Sequence, residues 1–356
     1  MIKMNKAIKI TCNALLILLT VFSAVSMIFI HISYKDMFSR AEPSELSEYL
    51  RYSDVEDELP RELISFMSGE NRLQGYLYGE GNKKGLVVLS HGMGGGAESY
   101  IAETMYFVEH GYTVFGFDNT GCYLSEGSGM GGMPQSAIDL DAALDFIESE
   151  PRFSNLPIFL YGHSWGGYAV TEVLSRGHNI AASASIAGYN TPNQIVFEWA
   201  RDMMGMGTFA YLEAPYLTLY NYICYGSDAN RSAVDGINAT DTPVLIIHGV
   251  KDTTVSYESA SILSHWKEIT NPNVEYLTCY RENHNGHNNL FMSDEAITYI
   301  NELQKQYDAL NEQYDGDIPE DIEKEFYDSA DKRLVSSLDE KFMQSVCEFF
   351  EREAYR

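Results

Sequence analysis

The sequence predicts an α/β fold in which a mostly parallel central sheet is covered by helices on both faces. Three observations carry this. Short β-rich runs alternate with helical stretches from about residue 63 to about 310. Polar and glycine-rich clusters fall directly after those runs, at the carboxyl edge of a parallel sheet. Finally, Gly162-His163-Ser164-Trp165-Gly166 joins a strand to a small-residue helix in one sharp turn.

The first element stands apart from that pattern. Ile10 to Ile32 reads ITCNALLILLTVFSAVSMIFIHI, long enough to cross a hydrocarbon core and free of acidic or basic residues apart from His31. Lys3, Lys6 and Lys9 precede it, and a positive flank stays in the cytoplasm. Residues 1–35 therefore read as a cytoplasmic stub and a single-pass signal anchor in the cell membrane, with the folded domain extracytoplasmic; Lys35 and Arg40 on the far side weaken the charge asymmetry. The competing reading is a cleaved signal peptide with small residues at Ala24-Val25-Ser26. The apolar run continues through Met27 to Ile32, which favours the uncleaved anchor.

Residues 36–60 are polar and acidic and contain Pro43 and Pro60, as suits a stalk. The folded domain then spans 61–310. Leu63 to Met67 and Leu73 to Tyr78 are strands joined through Ser68-Gly69-Glu70-Asn71, a hairpin composition, so the sheet begins antiparallel. Leu86 to Ser90 is a buried strand followed by His91-Gly92-Met93-Gly94-Gly95-Gly96 and a helix from Ser99 to His110. Tyr112 to Phe117 is the next strand, and Pro134 to Glu148 reads as a helix with Ile138, Ala142, Leu144 and Ile147 inward. Ile158 to Tyr161, Ala181 to Ile186, Val244 to Ile247 and Val274 to Tyr280 complete the strands. Between about 190 and 238 the rhythm breaks into a stretch rich in Tyr, Phe, Met and Leu, which predicts a helical cap over the site. Ser293 to Leu310 is helical, and 311–356 is an acidic helical C-terminal extension whose Phe342, Val346, Phe349 and Phe350 predict packing on the domain.

A net charge of −27 argues against nucleic acid as a partner, and against charge-driven binding to an anionic lipid surface. Five cysteines without a C-x-x-C spacing make neither a disulfide framework nor a structural metal site. No cofactor is expected. The Gly94-Gly95-Gly96 run lacks the Lys-Ser or Lys-Thr of a phosphate-binding loop, and His91, His163 and His287 lack metal-ligand spacing.

The chemistry lies in the loops at the strand ends. A serine hydroxyl becomes a nucleophile when a histidine takes its proton and a carboxylate holds that histidine. Ser164 is followed in chain order by Asp252, after the strand ending at Ile247, and by His287, after the strand ending at Tyr280. Ser, Asp, His is the order expected of a strand-turn-helix nucleophile. His284 is the alternative base, three residues away; Gly286 gives His287 the freer loop. The backbone amides of Met93 and Trp165 are the candidate oxyanion donors.

HGMGGG at 91–96, FDNTGCYLSEG at 117–127, GHSWGG at 162–167, HGVKD at 248–252 and Gly286-His287 together resemble the α/β-hydrolase superfamily over about 63–310. The resemblance is to its esterase, lipase and serine-peptidase-like branches. It implies a Ser-His-Asp mechanism and a lid over the site at about 190–238. Asn119-Thr120 departs from the basic residue frequent after the aspartate. The first expectation is a carboxylic ester hydrolase acting on a small-molecule or lipid-like ester, held to the membrane by its N-terminal helix. A peptidase of the prolyl-oligopeptidase or aminopeptidase kind is the alternative, and would use Glu98, Glu126 or Glu213 to hold a free amine. A non-catalytic binding module on the same fold is the third.

Overall fold

The computed structural model describes residues 6–354, so Lys3 of the basic flank lies outside the described residues. The strands are β1 (Arg61–Ser68), β2 (Asn71–Tyr78), β3 (Leu86–Ser90), β4 (Thr113–Phe117), β5 (Ile158–His163), β6 (Ala182–Ile186), β7 (Val244–Gly249) and β8 (Val274–Cys279). They form one sheet in the order β1-β2-β4-β3-β5-β6-β7-β8. The β1-β2 hairpin and the β2-β4 pair are antiparallel, and every later pair is parallel. The hairpin turns at Gly69, whose φ of 57° a side chain would resist.

The helices are α1 (Lys6–Met37), α2 (Ile101–Glu109), α3 (Gln135–Ser149), α4 (Trp165–Glu172), α5 (Pro192–Glu198), α6 (Ala210–Tyr225), α7 (Ala233–Asn238), α8 (Asp294–Gln313), α9 (Glu320–Ser329), α10 (Lys332–Val335) and α11 (Glu340–Glu353). Alternate residues of the inner strands serve opposite faces. Leu86 and Val88 join the core under α3 and α4, whereas Val87 and Leu89 join the core under α2 and α11. Buried on both sides, such strands are continuously apolar, as parallel strands are. The inward face of α3 is Leu140, Ala143, Leu144 and Ile147. Ile138 and Ala142, expected inward, are half-buried at the edge of that stripe.

Of the two flanking segments, one differs from its sequence expectation in how it packs and the other follows it. Residues 36–60 do not stand clear of the domain as a stalk would: Phe38, Leu50, Val55 and Leu59 are buried, and Ala41 bridges to Cys122. Of the segment after 310, α11 forms part of the main fold. Its Phe350 stacks on Phe159 of β5 at 4.7 Å and lies 6.2 Å from Phe107 of α2, which closes the second face of the sheet.

The cap is helical, built from α5, a π-helical turn at Trp199–Met203, α6 and α7. The helix Ala7–Met37 is long and apolar enough to cross a membrane. Only its last turns enter the core, through Ile30, Tyr34 and the adjoining Phe38.

Candidate active site

β5 ends at His163 and α4 begins at Trp165, so Ser164 is the single residue of the turn. Its φ of 57° and ψ of −112° are unusual for a residue with a side chain, a conformation costing of the order of 1–3 kcal/mol. The surroundings hold it there. Ser164 N–H donates to Ile186 O at 2.8 Å. A Cβ on Gly166 would lie 1.9 Å from Ser90 O, and one on Gly162 would lie 2.2 Å from Gly166 O, so the glycines allow strand and helix to meet.

The structure brings Ser164, His287 and Asp252 together. His287 Nε2 lies 2.8 Å from Ser164 Oγ, and His287 Nδ1 lies 2.7 Å from Asp252 Oδ2. Asp252 sits on the turn after β7, where its Oδ1 accepts from the N–H groups of Thr254 and Val255 at 2.9 and 2.8 Å. His248 Nε2 is 3.2 Å from its Oδ2. Burial pushes the Asp252 carboxyl up, but hydrogen bonds from His248 and His287 outweigh burial and hold it well below the usual carboxylate range. An ionised Asp252 accepts the Nδ1 proton, and the Nε2 lone pair of His287 then faces the serine hydroxyl. His284, the alternative base, is engaged elsewhere, with its Nε2 2.8 Å from Asp294 Oδ1.

A second hydrogen-bonded chain runs behind these residues. Gly92 N–H donates to Tyr100 Oη at 3.0 Å, and Tyr100 Oη lies 2.8 Å from His163 Nδ1. His163 Nε2 lies 3.0 Å from the carbonyl oxygen of His287. With one proton on the ring, His163 accepts from Tyr100 and donates to His287. Burial pushes His163 down to about 3, which keeps it in that neutral form. The loop after β3 is thereby tied to the loop that carries His287. His91 is also buried and neutral, pushed down to about 4 by desolvation. Its Nδ1 is 2.7 Å from Gly92 O, and its Nε2 accepts from the backbone and side chain of Asn119 at 2.9 and 3.0 Å.

At Asn119, where the basic residue is missing, the side-chain amide adds a second donor to His91 Nε2 beside the backbone N–H. A cation reaches that loop from Arg40, whose guanidinium donates to the carbonyls of Tyr123, Ser125 and Gly127. Neither Arg40 nor Tyr100 carried a motif that would have singled it out in the sequence. Among the described residues, the amides of Met93 and Trp165 have no intramolecular acceptor. An oxyanion site requires such free donors.

Ser164 and His287 open on a cavity of about 610 Å³, with Met93 on one side and Trp199, Met203 and Met204 of the cap on the other. None of the three carboxylates considered for amine binding lines it. Glu98 is held by Tyr52 N–H and is 3.9 Å from Arg51, Glu126 pairs with Arg72, and Glu213 accepts from Ser26 at 3.1 Å.

A family model described as serine aminopeptidase S33 matches residues 81–211. No curated protein matches the sequence. Among solved structures, the chain is similar to the Pyrococcus furiosus esterase Pf2001, with a TM-score of 0.53 and 19% identity over 74% of this chain and 98% of that one. Est1E from Butyrivibrio proteoclasticus superposes with a TM-score of 0.48 and 19% identity, over 69% of this chain and 96% of that one. An acylaminoacyl peptidase from Pyrococcus horikoshii does so with a TM-score of 0.48 and 17% identity, over 65% and 38%. The eight-stranded sheet, the serine turn at its carboxyl edge and the likeness to the first of these folds agree on an α/β-hydrolase fold.

Proposed function

We propose that this serine hydrolase cleaves a carboxylic ester through an acyl-enzyme, with Ser164 as nucleophile, His287 as base and then acid, and Asp252 as the group that orients His287. The observation that carries the reading is the run of short contacts from Asp252 Oδ2 through His287 to Ser164 Oγ, 2.7 and 2.8 Å long. Ser164 Oγ attacks the ester carbonyl carbon while its proton passes to His287 Nε2. The amides of Met93 and Trp165 hold the oxyanion, an interaction that strengthens as charge develops on that oxygen. Collapse expels the alcohol, which takes the proton from His287. A water then repeats the sequence on the acyl-enzyme and releases the carboxylic acid.

An ester fits better than a peptide with a free amino terminus, because the cavity holding Ser164 has no carboxylate in its lining to meet an ammonium group. The methionines and Trp199 on its cap side suit an apolar acyl group. The anchor helix fixes the enzyme to the cell membrane as a single pass with the catalytic domain outside, and the net charge of −27 leaves nucleic acid out of its partners.

The test is labelling of the full-length protein by a fluorophosphonate, with hydrolysis of p-nitrophenyl esters measured beside that of aminoacyl amides. Ser164→Ala should abolish labelling and lower ester turnover by about 10⁵-fold or more. An unlabelled wild type would sink the catalytic reading, and faster cleavage of the amides would replace the esterase with a peptidase. A soluble secreted form beginning near Met27 would replace the anchor with a signal peptide.

A further inference from the structure

The cap does not merely overhang the active site; α6 lies against α1. Tyr216 Oη is 2.9 Å from Ser23 Oγ, Ser26 Oγ donates to Glu213 at 3.1 Å, and Tyr220 Oη is 3.0 Å from His31 Nδ1. The rings of Phe22 and Tyr216 meet at 5.9 Å. At about 1.5 Å per residue the apolar run Ile10 to Ile32 measures roughly 34 Å, close to the thickness of a hydrocarbon core. Phe22, Ser23 and Ser26 fall in the half of that run nearer the catalytic domain. Whatever packs on those residues shares their depth.

The sequence of the cap suits that depth. From Met203 to Tyr225 the only charged residue is Glu213, and it is buried against α1. Phe209, Leu212, Leu219, Tyr222 and Ile223 are exposed instead. In a chain whose net charge is −27, a stretch of this length with one buried charge and its large apolar side chains turned outward has the composition of a lipid-facing surface. Between α1 and the cap runs a narrow, mostly apolar groove lined by Phe29, Ile30, Phe197 and Leu217, with Glu213 in its wall where it accepts from Ser26. Met37 and Met204 line both this groove and the cavity that holds Ser164, so the two adjoin at these side chains.

We propose that α6 is seated in the bilayer beside the anchor, and that the substrate is the acyl ester of a membrane-resident lipid whose chain lies in the α1-α6 groove and reaches Ser164 past Met37 and Met204. The proposal rests on the ester-hydrolase reading of Ser164 and adds the source of the substrate and its route. The bonds made and broken are those already given: the products are a free fatty acid, which can remain in the leaflet, and the de-acylated alcohol. Because the groove opens at the depth of the acyl chains, the ester reaches the serine without its chain crossing water, a transfer whose cost grows with every methylene.

The test uses the full-length protein in phosphatidylcholine vesicles carrying dioleoylglycerol, with p-nitrophenyl acetate supplied in the water. The wild type should hydrolyse both and should label with a fluorophosphonate. Ala214 lines the groove but not the Ser164 cavity. Ala214→Trp should therefore lower the ratio of dioleoylglycerol to acetate turnover by about tenfold or more by filling the groove. Ala200→Phe, also in the groove lining, repeats the measurement should the first variant not fold. An equal fall in both rates overturns the route. Depth is read separately: Ile223→Trp should gain tryptophan quenching by lipids brominated on their chains, over the background of Trp165, Trp199 and Trp266, and no gain overturns the seating of α6. Labelling without dioleoylglycerol turnover overturns the lipid substrate and leaves the Ser164 reading standing, whereas absence of labelling overturns that reading itself.

Discussion

The loops that carry Ser164, Asp252 and His287 and the α1-α6 limb that overhangs them are held by opposite means. In the loops each functional side chain is fixed by hydrogen bonds inside a buried setting: Asp252 has both oxygens occupied, and His163 and His91 each use both ring nitrogens. In the limb a few polar contacts lie between apolar helices, and large side chains such as Leu219 and Ile223 face outward. The difference separates two requirements. Transition-state chemistry needs atoms held in one arrangement, and buried polar networks supply this because leaving a member unpaired is costly. Engaging an apolar substrate needs surface without charge, and here geometry is set by the helices rather than by individual atoms.

The contrast is broken most severely at Asp252. Asp252→Asn keeps the shape but removes the charge that holds a proton on His287 Nδ1, so kcat should fall by about 10⁴-fold while p-nitrophenyl acetate KM changes little. A loss under tenfold would mean that the network, not the carboxylate charge, sets the tautomer. Stability carries the same signature. Asp252 is held below the usual carboxylate range, so its contribution is complete above about pH 4 and declines as the pH falls toward its folded value. Urea melts of wild type and Asp252→Asn should differ by a constant amount from pH 5 to 7, and the difference should shrink progressively as the pH falls below 4.

A buried acid on the loop side titrates in the opposite sense. Burial pushes the Glu103 carboxyl of α2 from its ordinary 4.5 up to about 7. The unfolded chain releases this proton earlier than the folded one, so stability falls as the pH rises from about 4.5 to about 7, by roughly 3 kcal/mol at most. Glu103→Gln should flatten that slope in melts between pH 5 and 8. An unchanged slope would assign the loss to other buried acids, such as Asp118, which burial pushes up to about 6.

The two regions also differ in how much of them the sequence disclosed. Ser164, Asp252 and His287 were legible because acyl transfer demands particular residue types, and a parallel sheet presents them in chain order at strand ends. The cap was legible as helical and aromatic, yet its partner was not, since α1 and α6 are separated by some 170 residues and their contact has no local signature. Arg40 escaped for the same reason. It lies in a segment that reads as a polar stalk, and only the fold lays it across the loop at Tyr123 to Gly127. Tyr100 was hidden differently: it sits within a predicted helix, where an aromatic is commonplace, and its hydroxyl acquires meaning from His163 and Gly92 alone.

The most direct comparison makes one chemical change in both regions, the deletion of a tyrosine hydroxyl. Tyr100→Phe leaves Gly92 N–H without its acceptor and His163 Nδ1 without its donor, both in buried surroundings. The loop before Met93 and the backbone of His287 then lose their tie, so kcat should fall about tenfold, equivalent to about 1.4 kcal/mol, with KM nearly constant. Tyr100 is a positioning residue on this account, and a histidine in its place, which can still accept and donate, should recover part of the rate. Tyr216→Phe removes a single contact to Ser23 between helices that remain packed, with the Phe22 ring still against it. Its effect on the melt should stay under about 1 kcal/mol, and acetate turnover should match the wild type. Equal effects at the two positions would show that the limb is as tightly specified as the loops, and the distinction between an arrangement of atoms and an arrangement of helices would fail.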